Sequence, residues 1–149
     1  MTSGLFNYPG RADRGDGYLL LAGAPATDWA RIREHAELRR YRGGDIVARA
    51  GETDRTLWIV IEGVVHLLDG RSLTDELPVG SLFGELTFLT GRPAPLTART
   101  VTEAMVLRWT LSGFEVLAAK DPGLARRVLF DLAGILALRL HALRQISRS

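Results

Sequence analysis

The stretch GSLFGELTFLTGRPAPLT, residues 80–97, contains features that ordinary folding needs do not explain. A glycine, Gly84, precedes a single carboxylate, Glu85, among apolar residues, and a Pro-Ala-Pro return follows at residues 93–95. Backbone amides at the start of a short helix attract an anion, and a carboxylate beside them accepts hydrogen bonds from a polar ligand. The stretch therefore predicts a concave cradle for a small ligand, with the remaining chain as its scaffold.

The composition is that of one globular domain. The 149 residues are 46% hydrophobic and 24% charged, values that exclude a globally disordered protein. The chain has no cysteine, which excludes disulfides, thiolate metal sites and cysteine nucleophiles. The three histidines, His35, His66 and His141, lack the spacing of metal ligands, so the sequence predicts no metal site.

Charge and hydropathy bear on where the protein acts. The net charge of +2 is too small to indicate nucleic-acid binding by itself. No apolar stretch reaches the roughly 18 residues that a membrane span needs. Residues 1–4 also lack the basic-then-apolar order of a secretory signal. The sequence therefore predicts a cytoplasmic protein without membrane insertion.

The beginning of the chain predicts an arm and then a helix. Residues 1–17 mix glycine with polar residues, a composition that predicts a flexible arm. One domain is expected to occupy residues 18–149. Apolar residues at helical spacing predict a first helix over about 27–36, with Thr27 as its N-cap.

The middle of the chain predicts a barrel of short strands. After Gly43-Gly44 the apolar period changes from that of a helix to that of a strand, and turn residues such as Asp69-Gly70 predict antiparallel hairpins. The individual runs lie at 46–48, 57–61, 64–68, 96–101 and 104–109. About eight strands in a mainly β domain favour a jelly-roll-like barrel over residues 37–110, because closure removes exposed strand edges.

Two helices are predicted after the barrel, over about 112–146. Ser112 and Glu115 have the spacing of a capping box, and Pro122 after Asp121 is typical of a first helical turn. The second of these helices, about 122–146, carries apolar residues on nearly all of its faces. This apolar surface is broader than one neighbouring element covers.

The breadth of that apolar surface predicts a partner for the last helix. Four leucines approximate a heptad seam: Leu129, Leu132, Leu136 and Leu143. The seam predicts a homodimer in which two parallel helices pair across a twofold axis. In the alternative reading, the first helix covers the second apolar face within one chain.

Six short motifs in a fixed order carry a resemblance to a known family. They are Gly44-Asp45-Ile46, Gly51-Glu52, residues 57–65, Gly80, residues 83–86 and Gly91-Arg92-Pro93. The chain resembles the cyclic nucleotide-binding domain of catabolite-activator-type regulators and protein kinase A regulatory subunits. The resemblance runs from about residue 18 to the end and implies a stand-alone bacterial member of the family. It also implies an eight-stranded antiparallel jelly-roll barrel with a short helix inside the ligand-binding segment.

The resemblance also implies which residues bind ligand. In the family, the glutamate at the position of Glu85 accepts a hydrogen bond from the ribose hydroxyl of cyclic AMP or cyclic GMP. Residues at the positions of Phe83, Gly84 and Leu86 assist, and the counterpart of Thr97 points toward the pocket.

Two departures from the family pattern fall at the phosphate. Ala94 stands where the family has an arginine, and Pro95 stands where the family uses a backbone N–H. The resemblance therefore implies a degenerate site with a weak or absent cyclic nucleotide. In the alternative reading, Arg92 or Arg99 replaces the missing cation, because strand alternation is expected to place Arg99 on the same face as Thr97.

These observations favour a non-catalytic regulatory or interaction module that acts on an unidentified effector protein. The alternative is a genuine cyclic nucleotide sensor. An enzyme is not indicated, because the sequence has neither a catalytic triad pattern nor a metal set. Only three residues follow Ile146, so no recognition helix, and no DNA binding by this chain alone, is expected.

Overall fold

The computed structural model describes residues 20–21 and 23–148, so the arm expected over residues 1–17 lies outside the described part of the chain. The described residues form four helices and eight strands. The helices are α1 (Ala26–Arg33), α2 (Glu85–Thr90), α3 (Leu111–Lys120) and α4 (Pro122–Arg148). The strands are β1 (Glu37–Tyr41), β2 (Ile46–Ala48), β3 (Thr56–Glu62), β4 (Val65–Asp69), β5 (Ser72–Leu77), β6 (Leu82–Phe83), β7 (Thr97–Thr100) and β8 (Ala104–Thr110).

The strands form two antiparallel sheets that face each other. One sheet has the order β1-β8-β3-β6 and the other has the order β2-β7-β4-β5. Apart from the hairpin of β4 and β5, neighbouring strands in these orders are not consecutive in sequence, as in a jelly roll. The predicted fold, an eight-stranded jelly-roll-like barrel with flanking helices, is confirmed. The sequence pattern does not identify β1, β5 and β6 individually, since these strands carry many polar residues or are only two residues long.

Strand β3 is buried on both faces and separates two cores. Leu57 and Ile59 lie in the core that the helices cover, with Trp29 of α1 and Leu132 of α4. Trp58 and Val60, on the opposite face, lie in the core between the two sheets. A strand buried on both sides reads as a continuous apolar run, which is why residues 57–61 could be recognised as a strand.

Two predicted helix caps are wrong by one or two residues. The side chain of Thr110, not Ser112, accepts a hydrogen bond from the N–H of Gly113 at 3.1 Å, and α3 begins at Leu111. Helix α1 begins at Ala26 after Pro25, so Thr27 lies inside the helix. In both cases the helix begins slightly earlier than the local sequence pattern indicates, a difference of the size by which helix ends commonly vary.

The seam predicted on the last helix needs one correction. Leu132 is only 1% exposed and belongs to the core beneath the helix, so it does not face outward. Leu129 and Leu143 are exposed, as predicted, and so is Leu140, whereas Leu136 packs partly against the core. An apolar surface that is exposed or only partly covered by described residues therefore follows the positions 129, 133, 136, 140 and 143. We call this set the outer stripe of α4.

The first turn of α4 is held by Asp121. Its Oδ1 accepts a hydrogen bond from the N–H of Leu124 at 3.1 Å, and its Oδ2 accepts one from Arg31 of α1. The hydrogen bond from Leu124 and, second, the one from Arg31 lower the pKa of the Asp121 carboxyl. The carboxylate therefore ties the start of α4 to α1.

We expect the Asp121→Ala variant to have a lower melting temperature than the wild type near neutral pH, because it loses the cap and the ion pair. Since the folded-state pKa of Asp121 is lowered, its charge stabilises the fold above the unfolded-state value of about 3.9. This contribution disappears as the pH falls through the lower folded-state value. Thermal unfolding from pH 2 to pH 7 measures the effect, and a constant difference across that range contradicts it. Asp121→Asn, which keeps a cap without the charge, serves as the control.

Candidate functional site

A cavity of about 610 Å³ opens between the two sheets beside α2 and α4. Its volume lies within the range of about 300–1,000 Å³ that is usual for small-molecule sites. Its walls combine side chains of both sheets, the residues around the start of α2, the return at 94–96, and Arg139 and Leu143 of α4. The cradle predicted from residues 80–97 thus forms one side of a closed-in site.

The apolar wall of the cavity is the inner core of the barrel. Trp58 on β3 and Phe83 on β6 lie side by side in register, with parallel rings whose centroids are 6.0 Å apart. Ala98 on β7 and Leu77 on β5 face them from the other sheet. Such a wall suits a flat, largely apolar group, since aromatic side chains bury much surface in fixed geometry.

Gly84 allows α2 to approach β3 closely. Its φ of 82° lies in the left-handed region, and an added Cβ would stand 2.8 Å from the carbonyl oxygen of Thr56 and 3.0 Å from the Trp58 ring. A side chain at this position meets both backbone strain and a backbone atom that cannot move aside. The glycine therefore fixes where Glu85 and Leu86, which both line the cavity, enter the site.

The other end of α2 is held by Arg55. The guanidinium donates hydrogen bonds to the carbonyl oxygens of Phe88 and Leu89, at 3.0 Å and 2.9 Å. These are two of the carbonyls that a helix C-terminus leaves without an intrahelical partner. A helix of six residues is thus held at both ends, with Glu85 at its start.

Glu85 is paired with an arginine of the last helix. Arg139 brings one guanidinium nitrogen to 3.4 Å from Glu85 Oε1 and the other to 3.4 Å from the carbonyl oxygen of Leu82. Leu143, one turn further along α4, also lines the cavity. Helix α4 therefore lies over the mouth of the cavity and contacts the predicted sugar-binding carboxylate directly.

The backbone of residues 94–95 has no N–H group free to bind a ligand. The N–H of Ala94 donates to the carbonyl oxygen of Glu52 at 2.8 Å, and the N–H of Gly51 donates to the carbonyl oxygen of Ala94 at 2.7 Å. Pro95 has no N–H. Both residues line the cavity, but what they present there is apolar.

The predicted replacement cations do not reach the cavity. Arg92 is not among its lining residues, and Arg99 lies on the other face of β7, where its Nε donates to the carbonyl oxygen of Gly44 at 3.0 Å. Thr97 shares that outer face and accepts a hydrogen bond from the N–H of Ala50. Strand alternation places Ala98 on the cavity side of β7, so neither Thr97 nor Arg99 lies among the residues that line the cavity.

Three arginines that the sequence reading missed line the cavity: Arg39, Arg108 and Arg139. Arg139 had a detectable signal, since it follows Val128, Leu132 and Ile135 at spacings of four and three residues on the buried face of the helix. A charged residue on such a face indicates a specific partner. Arg39 had no comparable signal, because polar residues are common in edge strands such as β1, and Arg108 is a single arginine in the apolar run of β8 with no local feature that marks it.

The cavity does not have an overall basic lining. Its arginines are accompanied by four carboxylates, Glu52, Asp54, Asp75 and Glu85. Arg39 is hydrogen-bonded to Glu37, and this bond lowers the pKa of the Glu37 carboxyl. The same bond, together with one to Tyr41, raises the pKa of Arg39. An anion in this cavity therefore depends on a particular cation rather than on a general positive potential.

Within the described residues, no group of three acidic or histidine side chains is arranged to hold a metal ion. None of the described helices has the length and apolar character needed to cross a bilayer.

We expect Gly84→Ala to lower the melting temperature and to perturb the cavity, because its methyl group collides with the carbonyl of Thr56 at a left-handed position. The matched control is Gly70→Ala, which also has a positive φ, of 61°, but whose Cβ meets nothing within 4 Å. Thermal unfolding of the two variants separates the collision from the backbone strain that both share. Equal losses of stability would show that the close approach at Gly84 is unimportant.

Comparison with known proteins points to one family. The cyclic nucleotide-binding domain family matches residues 38–121. The HTH-type transcriptional regulator Cmr of Mycobacterium tuberculosis is 30% identical over 110 residues, which cover 71% of this chain and 45% of that protein. The chain spans less than half the length of the curated relatives that it matches.

Solved structures share the fold. The catabolite activator protein of Thermus thermophilus aligns with a TM-score of 0.74 at 24% identity, over 87% of this chain and 61% of its own. A cyclic nucleotide-binding domain from Methylobacillus flagellatus aligns with a TM-score of 0.74 at 14% identity, over 93% of this chain and 86% of its own. At such identities the likeness concerns the fold alone.

Proposed function

Because the chain belongs to the cyclic nucleotide-binding domain family, we propose that it is a non-catalytic regulatory module with a degenerate phosphate-binding segment. In this proposal the cavity accepts the base and sugar of a nucleotide, and α4 transmits occupancy of the cavity to a partner. The relatives named above include a transcriptional regulator, and others are a kinase regulatory subunit and gated channels. The effector of this chain is a protein that responds to α4.

The expectation that cyclic AMP binds weakly rests on one observation. The N–H of Ala94 is already bonded to Glu52, and Pro95 has no N–H, so the return at the anion end supplies neither a charge nor a donor. A charge-assisted hydrogen bond contributes about 1.5–3 kcal/mol and a neutral one about 1 kcal/mol. Losing one of each corresponds to a cyclic AMP affinity weaker by about a hundredfold or more.

The proposed geometry keeps the other half of a nucleotide site. Glu85 lies at the cavity beside Gly84, where it can accept a sugar hydroxyl, and Trp58 and Phe83 offer an apolar wall. The alternative function, a sensor that grips the phosphate through Arg92 or Arg99, has no support from their positions outside the cavity.

Restoring the two missing contacts tests the proposal. We expect the double variant Ala94→Arg, Pro95→Ala to bind cyclic AMP at least about tenfold more tightly than the wild type, because it regains a guanidinium and an N–H. Isothermal titration calorimetry measures both affinities. The matched control, Ala94→Gln with Pro95→Ala, restores the N–H and adds a polar hydrogen-bond donor without the charge. A wild-type dissociation constant already in the micromolar range, or no gain in the restored variant, contradicts the proposal.

We further propose that two chains pair through the outer stripe of α4. Its positions 129, 133, 136, 140 and 143 alternate in spacings of four and three residues, the heptad pattern of a parallel helix pair. Leu140 and Leu143 are 51% and 61% exposed, and isolated chains rarely leave such a continuous apolar surface in water. Since Leu143 also lines the cavity, the dimer contact and the ligand site share one helix.

The dimer is tested by charge on the stripe. We expect Leu140→Asp to sediment as a monomer at concentrations where the wild type is a dimer, because a carboxylate between two helices is desolvated without a partner. Leu138→Asp is the control, since two residues along a helix correspond to about 200° of rotation. Sedimentation velocity with circular dichroism distinguishes dissociation from unfolding. A wild type that is monomeric at all concentrations, or a variant that stays dimeric, rules out this interface.

A further inference from the structure

The cavity retains a hydroxyl acceptor but lacks a cation where the family places one. Three arginines line it, and two of them are distant from the start of α2. Arg39 lies on β1 and is bonded to Glu37, and Arg108 on β8 is the cross-strand partner of that same carboxylate. In the order β1-β8-β3-β6, β8 is two strands and β1 three strands from β6. With strands about 4.8 Å apart, these arginines arise roughly 10–14 Å from the strand that leads into α2.

Arg139 is the cavity-lining arginine beside the start of α2. It approaches from α4, and both of its hydrogen bonds, to Glu85 Oε1 and to the carbonyl oxygen of Leu82, measure 3.4 Å. That distance is longer than the usual 2.7–3.2 Å of an N–H···O bond. A guanidinium has five N–H donors in a fixed planar array. Two long bonds therefore leave Arg139 with donors for a further acceptor without removing it from Glu85.

We propose that Arg139 is the anion-binding residue of the cavity, so that the charge missing at Ala94 is supplied by α4. This inference rests on the proposed function, that is, on a nucleotide-like ligand in this cavity. The ligand class is a sugar that carries a negatively charged group, such as a phosphate, near the hydroxyl that donates a hydrogen bond to Glu85. The carboxylate and the arginine then bind adjacent parts of the same ligand.

The position of Arg139 determines which two helices a bound ligand connects. Glu85 belongs to α2, whereas Arg139 lies on the helix that carries the outer stripe. A ligand held by both bridges the ligand-binding segment and α4. Because Glu85 also accepts from Arg139 in the described structure, a ligand anion shares the guanidinium with the carboxylate. The negative charge of Glu85 beside the anion keeps the affinity moderate, which is consistent with a weak site.

The ion pair between Arg139 and Glu85 is suited to mutational analysis. The side chains of Arg139 and Glu85 are 39% and 25% exposed, and partly exposed ion pairs contribute little to stability. Arg139→Gln is therefore expected to fold, which circular dichroism verifies. Arg139→Lys keeps the charge but loses the planar array of donors. Arg144→Gln, on the same helix and outside the cavity lining, is the matched control.

The test compares a charged ligand with an uncharged one of the same base and sugar. Cyclic AMP and adenosine are titrated into the full chain, and binding is followed by two-dimensional amide NMR, which detects millimolar affinities. We expect the wild type to prefer cyclic AMP by about tenfold or more, the effect of one charge-assisted hydrogen bond. Arg139→Gln should reduce this preference to near unity, Arg139→Lys should retain part of it, and Arg144→Gln should retain all of it.

Equal affinities for the two ligands in the wild type overturn the inference, because no charge contribution then exists. An undiminished preference in Arg139→Gln, or an equal loss in Arg144→Gln, overturns it as well. If the wild type binds neither ligand, the Ala94→Arg, Pro95→Ala variant separates two failures. Tight binding of cyclic AMP by that variant leaves the proposed function standing and refutes the role of Arg139 alone, whereas no binding refutes both.

Discussion

Strand β3 is buried on both faces, and it separates the core that α1 and α4 cover from the core between the two sheets. Leu57 and Ile59 point to the helices, while Trp58 and Val60 point into the barrel. The two sets alternate along five consecutive residues, so a shift of one residue in register would exchange them. The same strand therefore positions both the wall of the cavity and the core residues on which α4 packs.

The ligand-binding segment depends on that strand through a close approach. Gly84 brings the start of α2 against Thr56 and Trp58, and Arg55 holds the other end of the helix through two carbonyls. This frame holds Glu85 at the cavity through backbone packing and hydrogen bonds. In the proposed degenerate site, the missing anion contacts involve one side chain and one N–H at Ala94 and Pro95, so the frame does not depend on them.

Helix α4 contacts two parts of the domain along its length. Its first half packs through Val128, Leu132 and Ile135 on the core, and its second half presents Arg139 and Leu143 to the cavity. The outer stripe lies on the flank of the helix beside these contacts, since Leu136 packs partly against the core. Because Arg139 and the stripe belong to one helix, we propose that a displacement of Arg139 at the cavity also moves the stripe. In the proposed function, this shared helix couples the cavity to a partner.

Local sequence patterns were sufficient to predict the jelly-roll fold, the place of Glu85 beside Gly84, and the lack of an N–H at Pro95. These features follow from alternating apolar residues, a glycine before a short helix, and a proline. Packing in three dimensions was needed to establish that Arg99 faces outward, that Leu132 faces the core, and that Arg139 meets Glu85 across 54 positions of sequence. Those outcomes depend on how far β7 and α4 are rotated and where α4 crosses the barrel, quantities set by packing against distant residues rather than by neighbours along the chain.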